Sequence, residues 1–252
     1  DTIQASNHVP AREARMTQPR QITDVGFIGL GIMGGAMAGH LMNAGHAMHV
    51  HTRTPGRADA LVARGATWHD DPGAVAAAAD AVITIVGYPT DVEAVYLDAG
   101  GIVERAREGA VLIDMTTSSP SLAETIADAA AARGLFALDA PVSGGDIGAR
   151  EARLSIMVGG DAAAVDAAMP LLSRMGANVV HQGPAGAGQH AKMANQIAVA
   201  SNMMAVCESL AYAEAAGLDP HTVLKSIGGG AASSFALVNL GPKAVDGDFA
   251  PG

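Results

Sequence analysis

The sequence predicts an α/β fold in which a doubly wound, mostly parallel sheet is followed by an all-helical region. From residue 24 onward, short apolar runs alternate with helical stretches, which is typical of repeated strand–helix units. The glycine-rich turn GLGIMG follows the first apolar run and opens a helix. After residues 183–189, GPAGAGQ, strand signals stop and a long helical stretch begins.

Six short apolar runs are predicted as strands. Residues 81–86, AVITIV, form a continuous apolar run of the kind found in buried parallel strands. The other predicted strands are 24–28, 47–51, 110–114, 136–140 and 154–159. Helices are predicted at 34–45, 57–64, 91–96 and 121–134. The first of these helices ends at Gly45, because glycine is favoured just after a helix terminus.

The chain is predicted to have three parts. Residues 1–21 are polar with mixed charge and are predicted as a leader or a disordered segment, with Met16 as a candidate start. Residues 22–184 are predicted as the sheet domain and residues 185–252 as a helical domain. We expect the helical domain to be truncated, since its last residues cap no helix and close no core.

Two helices are predicted in the second domain. The first covers residues 188–216 and closes at Gly217. The second begins after Asp219, with Asp219 as its N-cap and Pro220 in its first turn.

Composition limits the possible partners and location. The net charge of −10 argues against nucleic acid as a partner. No apolar run reaches membrane-spanning length, and no secretory signal is recognisable, so we expect a cytoplasmic protein that does not span a membrane. The single cysteine, Cys207, excludes a disulfide framework, and its apolar neighbours predict an inert, buried thiol.

The turn at 29–34 predicts a dinucleotide site. Gly29 would make a tight turn, Gly31 would let the backbone approach a pyrophosphate, and Gly34 would let helix and strand pack closely. The helix start would then present free N–H groups and a partial positive charge to the phosphates. The alternative is a glycine-rich turn with only a packing role.

The end of the second strand favours NADP over NAD. NAD sites commonly place an acid there to hold the ribose 2′-hydroxyl, but this chain has none before Asp59. Arg53 and Arg57 are present instead, with Thr54 between them. The alternative is that both arginines are merely solvated.

Three nearby histidines, His46, His49 and His51, raise the question of a metal site. No cysteine joins them, and Asp59, the nearest acid, lies past the turn. No metal is therefore predicted.

The motif DAPVSGG at 139–145 follows a predicted strand. Ser143, Gly144 and Gly145 would expose successive backbone N–H groups, a nest that binds a carboxylate or a phosphate. The alternative is a tight turn.

Lys192 is the only charged residue between Arg174 and Glu208. Asn195 and Gln196 follow at i+3 and i+4, so all three would share one helix face. Lys192 could exchange a proton with a substrate oxygen while an amide partner holds it. The alternative is a structural lysine whose stem lies along apolar surface and whose head reaches water.

Taken together, four motifs resemble the β-hydroxyacid dehydrogenases, a family that includes 3-hydroxyisobutyrate dehydrogenase, tartronate semialdehyde reductase and glyoxylate/succinic semialdehyde reductases. They are GLGIMG, DMTTSSP, DAPVSGG and GAGQHAKMANQ, in this order. The resemblance covers residues 22–252. It implies a Rossmann dinucleotide-binding domain followed by an all-helical substrate domain whose long first helix bridges the two. Because the helix at 188–216 is too long and too apolar to be covered by the residues that follow it, we expect oligomerisation through this domain, as a homodimer or homotetramer.

The resemblance also implies roles for individual residues in hydride transfer between NAD(P) and a small carboxylate-bearing substrate. Lys192 would be the general acid/base, supported by Asn195 and Gln196. Ser143, Gly144 and Gly145 would hold the substrate carboxylate. The residues implied at the cofactor are Gly29, Leu30, Gly31, Ile32, Met33, Gly34, Val86, Gly87 and Thr117, to which the strand-end argument adds Arg53 and Thr54.

Some features depart from the family pattern. Many members have KxxNN where this chain has KMANQ, and the common proline after the fourth strand is shifted to Pro89. A helix with a KDL-like motif and a second lysine would follow residues 247–252.

The alternative functions are a 6-phosphogluconate dehydrogenase, an imine reductase, or a silent nucleotide-binding module. A 6-phosphogluconate dehydrogenase would have KxxHN, which this chain lacks. Imine reductases generally lack the lysine at position 192, and a silent module would have lost it, whereas this chain retains it.

Overall fold

The computed structural model describes residues 18–250, so most of the predicted leader, including Met16, lies outside the described residues. The leader prediction extends too far at its end. The Arg20 amide donates to the Gly109 carbonyl at 2.9 Å, and its Nε donates to Asp80 Oδ1 at 3.1 Å. The chain therefore packs on the sheet domain from Arg20 onward.

One sheet of nine strands occupies residues 24–183 of this described part. The strands are β1 Asp24–Ile28, β2 Ala47–His51, β3 Thr67–Trp68, β4 Ala81–Thr84, β5 Val111–Asp114, β6 Phe136–Asp139, β7 Val142–Ser143, β8 Leu154–Gly159 and β9 Gly176–Gly183. The order is β3-β2-β1-β4-β5-β6-β8-β7, with β9 paired to β8. The first six strands are parallel, which is the order of a doubly wound dinucleotide-binding sheet.

The six predicted strands are confirmed, but three strands were missed. β3 and β7 have only two residues each, too few to show a period. β9 lies parallel to β8. Most of its residues are exposed, and its sequence therefore has no continuous apolar run that would predict a strand. β8 pairs antiparallel with β6, which makes the sheet mixed at this edge.

Helices connect the strands and follow the sheet. They are α1 Ile32–Asn43, α2 Asp59–Val62, α3 Pro72–Ala78, α4 Pro89–Leu97, α5 Ile102–Arg105, α6 Pro120–Ala131, α7 Gly145–Arg150, α8 Ala162–Leu172, α9 Ala187–Ala215, α10 Pro220–Ile227 and α11 Gly241–Val245. The predicted helix at 57–64 is a 3₁₀ turn, Pro55–Arg57, followed by the short α2. The Asp219 N-cap is confirmed, because its Oδ2 accepts from the Thr222 amide at 2.8 Å.

Apolar side chains cover both faces of the sheet. Along β4, Ile83 joins the core on one face, whereas Val82 joins the core on the other. This alternation explains the continuous apolar run, since a strand buried on both faces has no polar side. The sheet ends at Gly183 and α9 starts at Ala187, on either side of the predicted domain boundary.

The helical region has a small core of its own. Val206, Leu224, Ala236 and Leu237 form it, the last two in a π-helical turn. Much of α9 is exposed, including Cys207, so the prediction of a buried thiol was wrong. Its helix face is not covered by other described residues. Within residues 18–250, no helix combines the length and apolarity needed to cross a bilayer.

Candidate active site

The turn after β1 has the geometry that the three glycines predict. Gly29 has φ of +97°, where a side chain would be strained. A Cβ on Gly34 would overlap the Gly29 carbonyl oxygen, so only glycine lets α1 approach the strand end. A Cβ on Gly31 would meet only the Arg57 guanidinium, at 3.8 Å, which leaves its outer side open.

The start of α1 is left free for an anion. Gly31 is the N-cap, no side chain caps the helix, and its first turn contains no acid. The first N–H groups of the helix therefore face outward with the positive end of the helix dipole. Leu30 is buried in the core and Ile32 is largely exposed, so these residues contribute to the turn mainly through their backbone. Met33 packs against the core.

A cavity of about 640 Å³ opens beside this turn. Its volume lies within the range of small-molecule and cofactor sites. The residues that both line it and were predicted at the cofactor are Gly29, Gly31, Arg53, Thr54, Val86 and Gly87. A glycine cradle, an uncapped helix start and a cavity of this size together fit a dinucleotide.

Charged side chains of both signs line the cavity. Arg53 and Arg57 both line it. Asp91, which the sequence analysis did not single out, also lines the cavity, and its Oδ1 is 3.5 Å from Arg53 Nη1. This pair is weak, because the Arg53 side chain is 87% exposed and screened by solvent.

The strand-end histidines bond to one another and to backbone. His49 Nδ1 is 3.0 Å from His69 Nε2, and His51 Nδ1 is 3.0 Å from the His69 carbonyl. His51 also lines the cavity. Among the described residues, no group of three possible metal ligands comes together.

The loop after β5 is held by a buried carboxylate. Asp114 Oδ1 accepts from Thr84 Oγ1 at 2.8 Å and from the Thr116 amide at 3.1 Å. Burial raises the pKa of Asp114 to about 6. Thr116 Oγ1 in turn accepts from the Val86 amide at 3.0 Å. The network fixes Val86 beside the cavity, while the neighbouring Thr117 is exposed.

Lys192 lies against the predicted carboxylate nest. Its Nζ donates to the Val142 carbonyl at 2.8 Å, and Val142 directly precedes Ser143. Gly144 and Gly145 have φ of +129° and +64°, so the backbone turns sharply there. A Cβ on Gly145 would meet nothing within 4 Å, which leaves that side of the loop open.

The environment of Lys192 contradicts the alternative of a lysine that reaches water. The residue is 7% exposed. Burial lowers the pKa of its ammonium group, because the charged form is poorly solvated. The amide support predicted from Asn195 and Gln196 differs from what is found. Asn195 Nδ2 donates to Gln196 Oε1 at 2.9 Å, while the bond of Lys192 goes to backbone.

Gln189 and Asp139 are further members of the site that the sequence analysis quoted within motifs without giving them a role. The Gln189 side chain accepts from the Ser118 amide at 3.0 Å and donates to the Thr116 carbonyl at 2.8 Å. Asp139 accepts from the Gln189 amide at 2.7 Å. Their positions in the sequence could have indicated a role, because Gln189 precedes Lys192 by three residues and Asp139 lies near the end of a predicted strand.

Comparison with known proteins assigns the chain to a family. One family profile, described as the NAD-binding domain of 6-phosphogluconate dehydrogenase, matches residues 24–183. A second, described as NAD-binding of NADP-dependent 3-hydroxyisobutyrate dehydrogenase, matches residues 186–252. An uncharacterized oxidoreductase of Bacillus subtilis is 56% identical over 228 residues, which cover 90% of this chain and 79% of the relative. The chain belongs to the β-hydroxyacid dehydrogenase family.

Two other members of the β-hydroxyacid dehydrogenase family illustrate the range of similarity. The 2-hydroxy-3-oxopropionate reductase of Escherichia coli is 42% identical, over 90% of this chain and 78% of its own. The solved structure of Mycobacterium tuberculosis 3-hydroxyisobutyrate dehydrogenase with L-serine superposes with a TM-score of 0.83 and 34% identity, over 92% of this chain and 81% of its own. These matches confirm the predicted family, the Rossmann fold, the oxidoreductase class and the NAD(P) cofactor.

Proposed function

We propose that this β-hydroxyacid dehydrogenase transfers a hydride between NADP and a small β-hydroxyacid or its semialdehyde, with Lys192 as the general acid/base. The observation that carries the proposal is the buried Lys192 amine, bonded at 2.8 Å to the residue that precedes an open glycine loop. The names of the similar proteins support this class of substrate.

The substrate carboxylate is assigned to the loop 143–145. Gly144 and Gly145 turn the backbone sharply with positive φ, and the space beside Gly145 is open, so an anion could approach the backbone N–H groups of this turn. The start of α9 would be the other candidate in this region, but Asp139 already accepts from the amides of Gly186 and Gln189 there. The glycine loop is therefore the better place for a second carboxylate.

Lys192 is assigned the transfer of the hydroxyl proton. Burial lowers its pKa toward the working range, and an acid/base is most effective when its pKa lies near the ambient pH. The Val142 carbonyl accepts one ammonium proton and leaves the others for substrate. The nicotinamide cofactor, when bound, supplies or accepts the hydride. Asn195 and Gln196 are assigned to substrate contact beside the amine.

The preference for NADP rests on the rim of the cavity. Arg53, Thr54 and Arg57 line it, and the acid that would repel a 2′-phosphate at the end of β2 is missing. Arginine binds phosphate through charge-assisted hydrogen bonds. Arg53 is proposed as the main contact because it lies two residues after the end of β2 and its guanidinium is exposed.

A substrate panel with Lys192→Ala tests the reaction. We expect turnover with NADP⁺, which accepts the hydride, to fall by at least about 10²-fold on the best of 3-hydroxyisobutyrate, glycerate and 4-hydroxybutyrate, because acid–base help is worth about 10²–10⁴. NADPH affinity should be retained, since proton transfer and dinucleotide binding use different residues. Lys225→Ala, on the exposed side of α10, is the matched control. Unchanged turnover in Lys192→Ala would exclude the assigned role, and a wild type inactive on every substrate would favour a silent nucleotide-binding module.

A further inference from the structure

A buried carboxylate from the sheet holds the first turn of α9. Gly186, the N-cap, supplies no side chain, and the first turn of the helix contains no acid. Asp139, at the end of β6, fills this gap: Oδ1 accepts from the Gly186 amide at 2.8 Å and Oδ2 from the Gln189 amide at 2.7 Å. Asp139 is 3% exposed, so solvent weakens these bonds little.

Gln189 extends the same attachment to a second strand end. Its side chain is fully buried and bonds to both sides of the loop after β5, through the Ser118 amide and the Thr116 carbonyl. Replacement of the side chain by an apolar one would leave a buried donor and acceptor without partners. The start of α9 is thus tied to β6 by Asp139 and to the loop after β5 by Gln189.

Contact between helix and sheet is also very close at this point. A Cβ on Gly188 would overlap the Met157 carbonyl and approach Asp139 Oδ2 to 2.8 Å. The helix axis therefore cannot move toward the sheet, and the two side chains of Asp139 and Gln189 prevent it from moving away.

The rest of α9 is held far less. Its buried residues are Gly188, Gln189, Lys192, Val206 and Ala213, so three of the five lie in its first two turns. Lys192 follows Gln189 by three residues on the same face, about 4.5 Å along the axis at 1.5 Å per residue. The position of the amine is therefore determined mainly by the attachments of the first turn.

We propose that Asp139 is a positioning residue for Lys192: its carboxylate, together with the Gln189 amide group, determines where the Lys192 amine lies relative to the loop 143–145. This inference rests on the proposed role of Lys192 as the general acid/base. Both carboxylate oxygens of Asp139 bond to the start of α9, so the residue acts through the helix start.

Asp139→Asn changes this attachment with almost no change of volume. The amide offers one acceptor oxygen instead of two, so one of the two backbone donors faces an NH₂ group. We expect kcat to fall by about 10- to 100-fold, since a 1 Å misplacement at a reacting centre costs on the order of 10². The dissociation constant of NADPH, measured by fluorescence titration, should stay unchanged. Gln189→Met should give the same pattern.

Asp161→Asn is the control for the same change at another helix start, because Asp161 is the N-cap of α8 and its Oδ1 accepts from the amides of Ala163 and Ala164. A loss of kcat in Asp161→Asn equal to that in Asp139→Asn would mean that helix capping alone explains the effect. In the Lys192→Ala background, Asp139→Asn should cause no further loss, because residues that act as one unit are not additive. A further loss by the same factor would overturn the proposal.

Chemical labelling separates this inference from the proposed reaction. The rate of acetylation at Lys192, relative to Lys225 in the same protein, is read by mass spectrometry at fixed pH. We expect the ratio to rise in Asp139→Asn and to stay at the wild-type value in Asp161→Asn. An unchanged ratio in Asp139→Asn overturns the positioning role even if Lys192 is catalytic. If Lys192→Ala is fully active, the proposed reaction fails while the labelling ratio still decides the positioning role.

Discussion

Removal of the buried Asp114 carboxyl group should stabilise the protein at pH 8 more than at pH 4.5. Asp114 lies at the end of β5, 7% exposed, and accepts from Thr84 and Thr116. Burial raises its pKa from an ordinary 3.8 to about 6, and the neighbouring Asp139, its register partner on β6, adds a like charge. Asparagine keeps an oxygen for the two donors but carries no charge.

The size and sign of the effect follow from linkage. The folded pKa lies above the unfolded value, so between about pH 4 and 6 the folded state holds a proton that the unfolded chain has lost. The free energy of unfolding therefore decreases as the pH rises through this window. At about 1.4 kcal/mol per pKa unit, ionised Asp114 costs roughly 3 kcal/mol at pH 8, and the same relation leaves roughly 1 kcal/mol at pH 4.5.

Urea unfolding of wild type and Asp114→Asn at the two pH values measures this cost. The stability difference between variant and wild type should be larger, in favour of the variant, by roughly 2 kcal/mol at pH 8 than at pH 4.5. Asp98→Asn, which removes an exposed carboxyl group, controls for the change from Asp to Asn. The same variant-minus-wild-type difference at both pH values would refute the reasoning, because the buried carboxyl would then ionise without cost.

Two further predictions concern the cofactor and the assembly. Arg53→Ala should weaken the binding of NADPH by roughly 1.5–3 kcal/mol, the scale of hydrogen bonds to charged groups, and the binding of NADH much less. Titration of both cofactors into this variant, with Arg64→Ala as the control, tests the prediction. Tighter binding of NADH than of NADPH to the wild type would contradict it. We also predict a homodimer or homotetramer that assembles through α9. This helix is about 43 Å long, and its side chains Ile197, Met204 and Tyr212 are 70%, 66% and 75% exposed. Light scattering that shows a monomer at micromolar concentration would contradict this.

The elements predicted well are those whose residues carry a local physical signal. β4 is apolar throughout because both of its faces are covered, and the turn after β1 needs glycines because its backbone adopts positive φ and touches a neighbouring carbonyl. The N-cap at Asp219 depends only on residues three positions away. In each case the residues that determine the local structure lie close together in the sequence, so the structure can be predicted from a short segment.

The elements missed depend on neighbours that are distant in the chain. β3 has two residues and exists because His49 and Val50 of β2 pair with it. β9 carries few apolar residues in the buried direction and forms by pairing with β8. Cys207 was expected to be buried from the apolar residues around it in sequence, yet the described helices leave its face of α9 uncovered.

Lys192 shows the same division within one site. Its isolation among small and apolar residues was visible in the sequence, but it left a chemical and a structural role open until the resemblance of the motifs favoured the first. Its hydrogen-bond partner was not visible, because the Val142 carbonyl is fifty residues away and carries no side-chain signature. Asp139 is hidden for a related reason: a carboxylate that caps a helix from another strand, rather than from the helix's own N-cap position, leaves no local pattern. The residues proposed to bind ligands through side chains can therefore be found from motifs, whereas the residue proposed to position them emerges only when strand order and helix packing are known.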